Sequence, residues 1–258
     1  MISMDNKTFT NRLDKIVASK YKLSRNKALE LIKTNKVSVN NKVITKPSCL
    51  ISKNDLITLN EQNFYISRAA LKLQKAIDYF HISINNKYCL DIGCSTGGFC
   101  QVLLNNNAKF IYAIDAGKNQ FNSLLAKNIK IKLCEQTHFL KMKENDFKHH
   151  IDIVTCDVSF ISSTKIIAHV NKILPCPYMM ILLIKPQFEL NAKIVHAKKG
   201  FVDPKYHKQA INNVLIVAKQ NGFLCSKVIK SPIVGAKKHN IEYLVLLEKE
   251  NKYEEKKK

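Results

Sequence analysis

The stretch CLDIGCSTGGF, residues 89–99, sets an apolar run and an acid ahead of a turn that holds three of the chain's seven glycines. Glycine admits positive φ and lets backbone come within contact distance of a ligand. A strand ending near Asp91, turning through Gly93, Gly97 and Gly98 and entering a helix at Phe99, is the opening turn of a nucleotide-type α/β fold. The helix start adds free N–H groups to that turn. GCSTGG is not GxGxxG, however, and it carries no phosphate-grasping lysine, so a dinucleotide pyrophosphate or a Walker-type phosphate is a poor fit.

Working outward, the next strand, FIYAID (110–115), ends in Asp115. That is roughly twenty residues on, where an acid can take both hydroxyls of a ribose. A glycine turn plus a ribose acid without phosphate chemistry fits S-adenosylmethionine, a nucleoside with an amino-acid tail and a sulfonium. A tight turn followed by an unrelated strand-end acid is the alternative reading of the same residues. Further apolar runs lie at 151–156, 178–184 and 242–247, in addition to 88–92 and 110–114. Helical lengths separate them, which predicts a mainly parallel sheet with helices on both faces. IVTCDVSFISST (153–164) places Asp157 at the carboxyl edge of that sheet, and LLIKPQFE (182–189) places Lys185 there, with Pro186 ending the strand. Desolvation at such a position lowers a lysine pKa, and a neighbouring carboxylate raises it. Taken singly, Lys185 could snorkel to water and Asp157 could cap the next turn.

The segment from about 8 to 60 has a different pattern. Leu13, Ile16 and Val17 share a helical face; Ser24 is an N-cap for a second helix with Ala28, Leu29, Leu31 and Ile32 inward. Short alternating strands follow, KVSVNNKVI turned at Asn40-Asn41 and DLITL at 55–59. So small a core suits an accessory module. Arg25 and Lys27 flank a helix start, with Lys33, Lys36 and Lys42 near it, an arrangement suited to a phosphate backbone.

Net charge is +22, from 42 basic against 20 acidic residues, and only Arg12, Arg25 and Arg68 among the cations are arginine. A charge this large attracts polyanions, although a solvated lysine-rich surface accounts for part of it. Eight cysteines form no CxxC pair, which argues against zinc or any other metal and for a reduced, cytoplasmic protein. The opening MISMDNKTFT is polar, unlike a secretory signal. The longest apolar run, YMMILLI (178–184), is far short of the ~20 residues that span a bilayer.

The stretches RLDKIVASKYKLSRNKALELIKTNKVSVNNKVI, YISRAALKL, CLDIGCSTGGF, YAIDAG, DVSFIS, IKPQFE and SPIVGAKKHNIEYLVLL, in this order over nearly the whole chain, closely resemble the TlyA family. These are ribosomal RNA 2′-O-methyltransferases, also known by the older label haemolysin A. The resemblance implies an S-four-type RNA-binding domain at 8–62 of small α+β type, a Rossmann-like, FtsJ-like methyltransferase domain at 63–250 with a seven-stranded sheet, and a basic tail at 251–258. It implies a catalytic tetrad of Lys72, Asp157, Lys185 and Glu242. Cofactor contacts would come from Asp91, Gly93, Ser95, Thr96, Gly97, Gly98, Phe99 and Asp115. RNA contacts would come from Arg12, Arg25, Lys27, Lys36 and Arg68. The partner so implied is ribosomal RNA or a ribosomal subunit, with cytidine as the modified nucleotide and no membrane. In the expected chemistry Lys185, lowered in pKa and oriented by Asp157, accepts or guides the 2′-hydroxyl proton, while Lys72 and Glu242 form a second pair that holds the ribose in line.

Four departures from the family pattern stand out. Ala69 and Ala70 replace glycines, and His239-Asn240 replaces Gly-Asn. The glycine-rich stretch after KPQFE shrinks to AKKGFVDP (197–204), and EQTHF (135–139) lacks the usual Asn, so no adenine contact is assigned there. Three competing readings remain. A membrane-active haemolysin needs an amphipathic insertion helix or a long apolar segment, and neither is found. A non-catalytic RNA-binding factor would be expected to lose part of the tetrad. A base methyltransferase would show an Asn-Pro-Pro-Tyr-type loop or a catalytic cysteine where DVSF and KPQF stand.

Overall fold

A computed structural model describes residues 10–59, 65–196, 199–235 and 238–249. The expected boundary at 62–63 and the basic tail at 251–258 lie outside the described residues. The chain divides into two compact units, one of residues up to 66 together with 122–124, the other carrying the rest.

The N-terminal unit runs β1 (Thr10–Arg12), α1 (Leu13–Lys20), α2 (Arg25–Lys33), β2 (Val37–Val39), β3 (Lys42–Val43), β4 (Leu50–Ser52) and β5 (Ile57–Leu59). Ser24 Oγ accepts from the Lys27 N–H at 3.2 Å and starts α2. Leu13, Val17, Ala28, Leu31 and Ile32 close over Val37, Ile51 and Ile57, while Ile16 and Leu29 are only half-buried. Asn40 and Asn41 both take positive φ, 49° and 65°, as a two-residue hairpin turn between β2 and β3 requires. β5 pairs with β2, and β1 with β4.

A fully buried carboxylate organises this unit's charge. Arg12 Nε and Arg25 Nε each donate to Asp14 at 3.0 Å. The hydrogen bond from Arg12 outweighs the penalty of burial, and with Arg25 it holds the Asp14 carboxyl down at about 2. Two of the expected RNA contacts therefore already carry an internal load, although their side chains stay 40% and 58% exposed. Lys27 pairs with Glu30 at 2.8 Å, and Lys36 is half-buried ahead of β2.

The larger unit continues with α3 (Ala70–Phe80), β6 (Tyr88–Ile92), α4 (Gly98–Asn105), β7 (Phe110–Ile114), β8 (Ile131–Cys134), β9 (Ile153–Cys156), α5 (Ser163–Ile173), β10 (Tyr178–Ile184), α6 (Pro186–Glu189), α7 (Ala192–His196), α8 (His207–Gln220), β11 (Leu224–Cys225), β12 (Ile229–Lys230) and β13 (Tyr243–Lys249). The sheet order is β11-β13-β10-β9-β6-β7-β8, with β12 also pairing with β13. The five strands from β10 to β8 in that order are parallel, and β13 runs antiparallel to its neighbours. The seven-stranded path matches expectation, with β12 as an addition. β8 escaped the search for apolar runs because it is an edge strand with Lys132 exposed in its middle. α5 and α8 cover one face, where Ile166, Val170 and Val214 meet Leu90, Ile92, Val154 and Leu182. α3 packs on α4 and β13. All eight cysteines are free thiols.

Asp91 sits inside this sheet with no exposed surface. Thr155 Oγ1 donates to it at 2.8 Å and Cys100 Sγ at 3.1 Å. Burial dominates these bonds and pushes the carboxyl up to about 7.

The two buried acids should respond to pH with opposite signs. Asp14 ionises more readily folded, at about 2, than unfolded, at 3.8, so its stabilisation is complete above about pH 4 and disappears as pH falls toward 2. Asp14→Asn should remove that acid-side slope from unfolding of the full chain followed by circular dichroism; an unchanged slope would contradict the pairing. Asp91 binds its proton more tightly folded, at about 7, than unfolded, at 3.8. Stability through this group thus falls as pH rises from about 4 to 7 and is fully lost above. Melting temperatures of wild type and Asp91→Asn should shift relative to each other between about pH 5 and 8, in favour of the variant at the higher pH, and a constant difference would count against a protonated Asp91.

Candidate active site

The glycine turn after β6 is demanded first by the protein itself. Gly93 has φ 84°, and a Cβ there would stand 2.8 Å from the Asp157 carbonyl oxygen. Gly97 has φ 90°, and its Cβ would meet Phe121 at 2.9 Å and the Leu125 side chain. A Cβ on Gly98 would overlap Ser67 Oγ and stand 3.2 Å from the Ala70 nitrogen. The close approach expected for a ligand is taken up by the β9 loop, by Phe121 and Leu125 and by the start of α3. Two of the glycines, Gly93 and Gly98, also reach a cavity wall.

Two cavities flank this turn. The first, about 680 Å³, is lined by Ile92, Ile114, Asp115, Gln120, Phe139 and Ile166 among others, and no Lys or Arg lines it among the described residues. Asp115 is fixed at its rim, accepting from Ser95 N at 2.8 Å through one oxygen and from Gly117 N at 2.7 Å through the other. Glu135 accepts from the backbone N–H groups of Gln120, Asn119 and Phe121. Those bonds, led by Gln120, draw its carboxyl below the ordinary range and pin the loop that closes the cavity. The second cavity, about 660 Å³, contains Lys72, Asp157, Lys185 and Glu242 together with Arg68, Ser95, Thr96, Gly98 and Phe99. Gly93, Ser95, Asp157, Ser159 and Phe160 line both. Asp91 and Gly97, expected at the cofactor, line neither; Asp91 lies beneath the turn, bonded to Thr155 and Cys100.

Four side chains from distant points of the sequence meet in the second cavity. α3 carries Lys72, the ends of β9 and β10 present Asp157 and Lys185, and Glu242 precedes β13. Lys185 Nζ lies 2.6 Å from Asp157 Oδ1, and Lys72 Nζ lies 3.2 Å from Asp157 Oδ2 and 2.7 Å from Glu242 Oε2. The expectation of two separate pairs gives way to one continuous chain, Lys185–Asp157–Lys72–Glu242, with Asp157 shared. Lys72, Lys185 and Glu242 are all buried. For Lys72, burial opposes the charge, but Asp157 and then Glu242 more than offset it and the pKa rises. For Asp157, burial likewise opposes ionisation, and Lys185 with Lys72 reverses the balance to hold the carboxyl low. Lys185 also donates to Ser159 Oγ at 3.0 Å, a direction set by the protein rather than by water.

Three residues of this site lie in stretches that carry the resemblance but had no role assigned to them. Phe160 takes φ 65°, unusual for an aromatic residue, and stands 85% exposed with its ring 5.5 Å from Phe188. Glu189 accepts from Ser162 Oγ at 2.6 Å and from Ser163 N and Oγ at 2.9 and 2.7 Å. It thereby ties the turn after Lys185 to the loop after Asp157. Asn240 donates to the Gly200 carbonyl and accepts from Val202 N, both at 2.9 Å. Uncharged rings and braces between distant loops have no local pattern, so only contacts across the fold reveal them.

Comparisons with known proteins show the family. Residues 65–249 match the FtsJ-like methyltransferase family and residues 11–57 match the S4 domain. The 23S rRNA (cytidine-2′-O)-methyltransferase TlyA of Campylobacter jejuni is 37% identical over 253 residues, covering 90% of this chain and 97% of its own. Hemolysin A of Brachyspira hyodysenteriae is 39% identical over 236 residues, covering 90% and 98%. A solved hemolysin-type structure from Streptococcus thermophilus superposes with a TM-score of 0.70 at 32% identity, covering 94% of this chain and 89% of that one. The chain belongs to the FtsJ-like methyltransferases, in the TlyA family that joins that domain to an N-terminal S4 domain.

Proposed function

We propose that the protein methylates a ribose 2′-hydroxyl of ribosomal RNA, at a cytidine, with S-adenosylmethionine as donor. The observation that carries this reading is the Lys185–Asp157–Lys72–Glu242 chain in the second cavity, with its Asp157 also lining the first. The relative in Campylobacter jejuni has cytidine-2′-O of 23S rRNA in its name, and the chemistry of this site suits a hydroxyl acceptor.

The first cavity fits the donor. Ile92, Ile114, Phe139 and Ile166 give apolar walls for a flat ring, and Asp115 gives a carboxylate for ribose hydroxyls. The absence of Lys and Arg from its described lining disfavours a phosphate there. When bound, S-adenosylmethionine supplies a methyl group on a sulfonium. The protein's task is then to aim the hydroxyl and handle its proton. Lys72, kept protonated by Asp157 and Glu242, serves as a fixed cation and not as a base. Lys185 is the remaining group of the chain able to guide the proton. Asp157 and Ser159 hold its Nζ in place, and when the neutral amine takes the proton from the hydroxyl Asp157 favours the ammonium so formed. Positioning of this kind contributes roughly 7–11 kcal/mol in favourable cases, and a positioned proton acceptor about 10²–10⁴-fold. The 2′-hydroxyl also distinguishes RNA from DNA. The N-terminal unit, through Arg12, Arg25, Lys27 and Lys36, would grip backbone, and Phe160 with Phe188 would face the bases of a locally opened strand.

Lys185→Ala should lower methyl transfer to ribosomal RNA by at least about 10²-fold while calorimetric S-adenosylmethionine affinity stays within about twofold; near-normal turnover would remove Lys185 from the mechanism. Glu189→Ala should lower kcat by up to about 10²-fold through misplacement of both loops, with RNA KM and cofactor affinity little changed and Glu189→Gln partly restoring the rate. Equal loss of cofactor binding in both variants would mean that Glu189 supports the fold and not the aim of the tetrad.

A further inference from the structure

The second cavity has a charge imbalance that methyl transfer does not use. Lys72 and Lys185 are matched by Asp157 and Glu242, but Arg68, Lys199 and Lys238 also line it. Among the described residues these three have no ion pair or side-chain hydrogen bond, in contrast with Arg12, Arg25 and Lys27. Unmatched cations on a chain of net charge +22 are common, and alone they would mean little. Here the backbone that carries two of them is built into place.

Lys199 and Gly200 both occupy the left-handed region, φ 51° and 91°, and His239, next to Lys238, does so at φ 51°. Non-glycine residues at such φ persist only when their surroundings hold them. The holder is Asn240, which is buried and whose amide bonds both to the Gly200 carbonyl and to the Val202 N–H. Its own carbonyl accepts from Gly235 N at 2.9 Å, and His239 N donates to the Gly235 carbonyl at 3.1 Å. The Lys199 and Lys238 segments are thus stitched to each other directly ahead of Glu242.

We propose that Lys199 and Lys238, with Arg68, form a phosphate clamp that grips the two backbone phosphates flanking the acceptor ribose. The inference rests on the RNA-methylating reading and deepens it. A 2′-hydroxyl inside a strand has a phosphate on either side, so a cavity that receives it must accept two negative charges close to the tetrad. The first cavity, lacking Lys and Arg among its described lining, receives the uncharged nucleoside; the second, with three spare cations, receives the strand. The clamp would keep the phosphates from competing with Asp157 and Glu242 for Lys185 and Lys72.

The test compares full-length Lys199→Gln/Lys238→Gln with a charge-matched control, Lys172→Gln/Lys219→Gln, whose lysines are exposed on α5 and α8. The probe is a short single-stranded RNA containing cytidines, titrated across salt concentrations, alongside steady-state methylation of ribosomal RNA. Loss of two phosphate contacts should make the slope of log affinity against log salt shallower by about 1.4, roughly 0.7 per contact on a single strand. The RNA KM should rise by about tenfold, ~3-fold for each exposed contact, with kcat and S-adenosylmethionine affinity within about twofold of wild type. A slope and KM indistinguishable from the control pair would overturn the clamp while leaving the methyltransferase reading intact. Conversely, a wild-type protein that transfers no methyl group, yet shows the slope change in the double variant, would sink that reading and leave the clamp as a phosphate site.

Discussion

A carboxylate cannot stay ionised in a protein interior unless cations are brought to it, and Asp157 is the point where this chain meets that requirement. Two lysines, one on a helix and one at a strand end, converge on its two oxygens. Removing either would leave a buried charge half-matched, a change that commonly costs about 3–5 kcal/mol. The same residue's carbonyl lies where a side chain at Gly93 would have to go. The lining of the first cavity at Gly93 and the acid shared by the two lysines are therefore one mechanical unit. Glu189 extends it by capping α5 and joining the loop after Asp157 to the turn after Lys185. The two cavities thus share a rigid seam, the arrangement an in-line transfer between them would need.

Much of this was legible in the sequence where a local rule applied. Alternation and turn residues gave the Asn40-Asn41 hairpin and the Ser24 cap. Apolar runs gave five central strands, and Pro186 marked where Lys185 leaves the sheet. Resemblance supplied Lys72 and Glu242, which no local pattern could have brought to Asp157. What local rules missed has a common cause. β8 is short and has a lysine in its middle, and β11 and β12 are two residues each, so none shows a buried run. The sharing of Asp157 by both lysines depends on side-chain reach across separate elements. Asp91 was a cofactor contact implied by the resemblance alone. Alternation along β6 instead turns it inward, onto Thr155 of the neighbouring strand.

Charge is distributed unequally over the molecule, and the inequality is informative. In the N-terminal unit arginine is partly spent on Asp14, which fixes two of its cations in place. A guanidinium has more donors than one carboxylate can engage, and the side chains of Arg12 and Arg25 keep exposed surface beside Asp14. In the larger unit, the first cavity excludes Lys and Arg among its described lining whereas the neighbouring cavity gathers five of them. A chain with so large a surplus of lysine would scatter cations on every wall if nothing opposed it. Their confinement to one side of the seam argues that the two cavities serve ligands of different charge.

The departures from the family pattern divide by backbone geometry. Ala69 has φ −56° and ψ −35° and Ala70 opens α3, so neither position asks for glycine, and Gly98 leaves the room into which Ser67 and Ala70 pack. A methyl group at those positions is conformationally free. His239 is different: its φ of 51° is one that glycine adopts without strain and histidine does not. The compensation lies in the next residue. Asn240 makes two side-chain and one backbone hydrogen bond around the strained turn, and it is buried where water cannot compete. A histidine at that position therefore transfers the control of the loop ahead of Glu242 from glycine's freedom to Asn240's amide, and the loop becomes more constrained by the exchange.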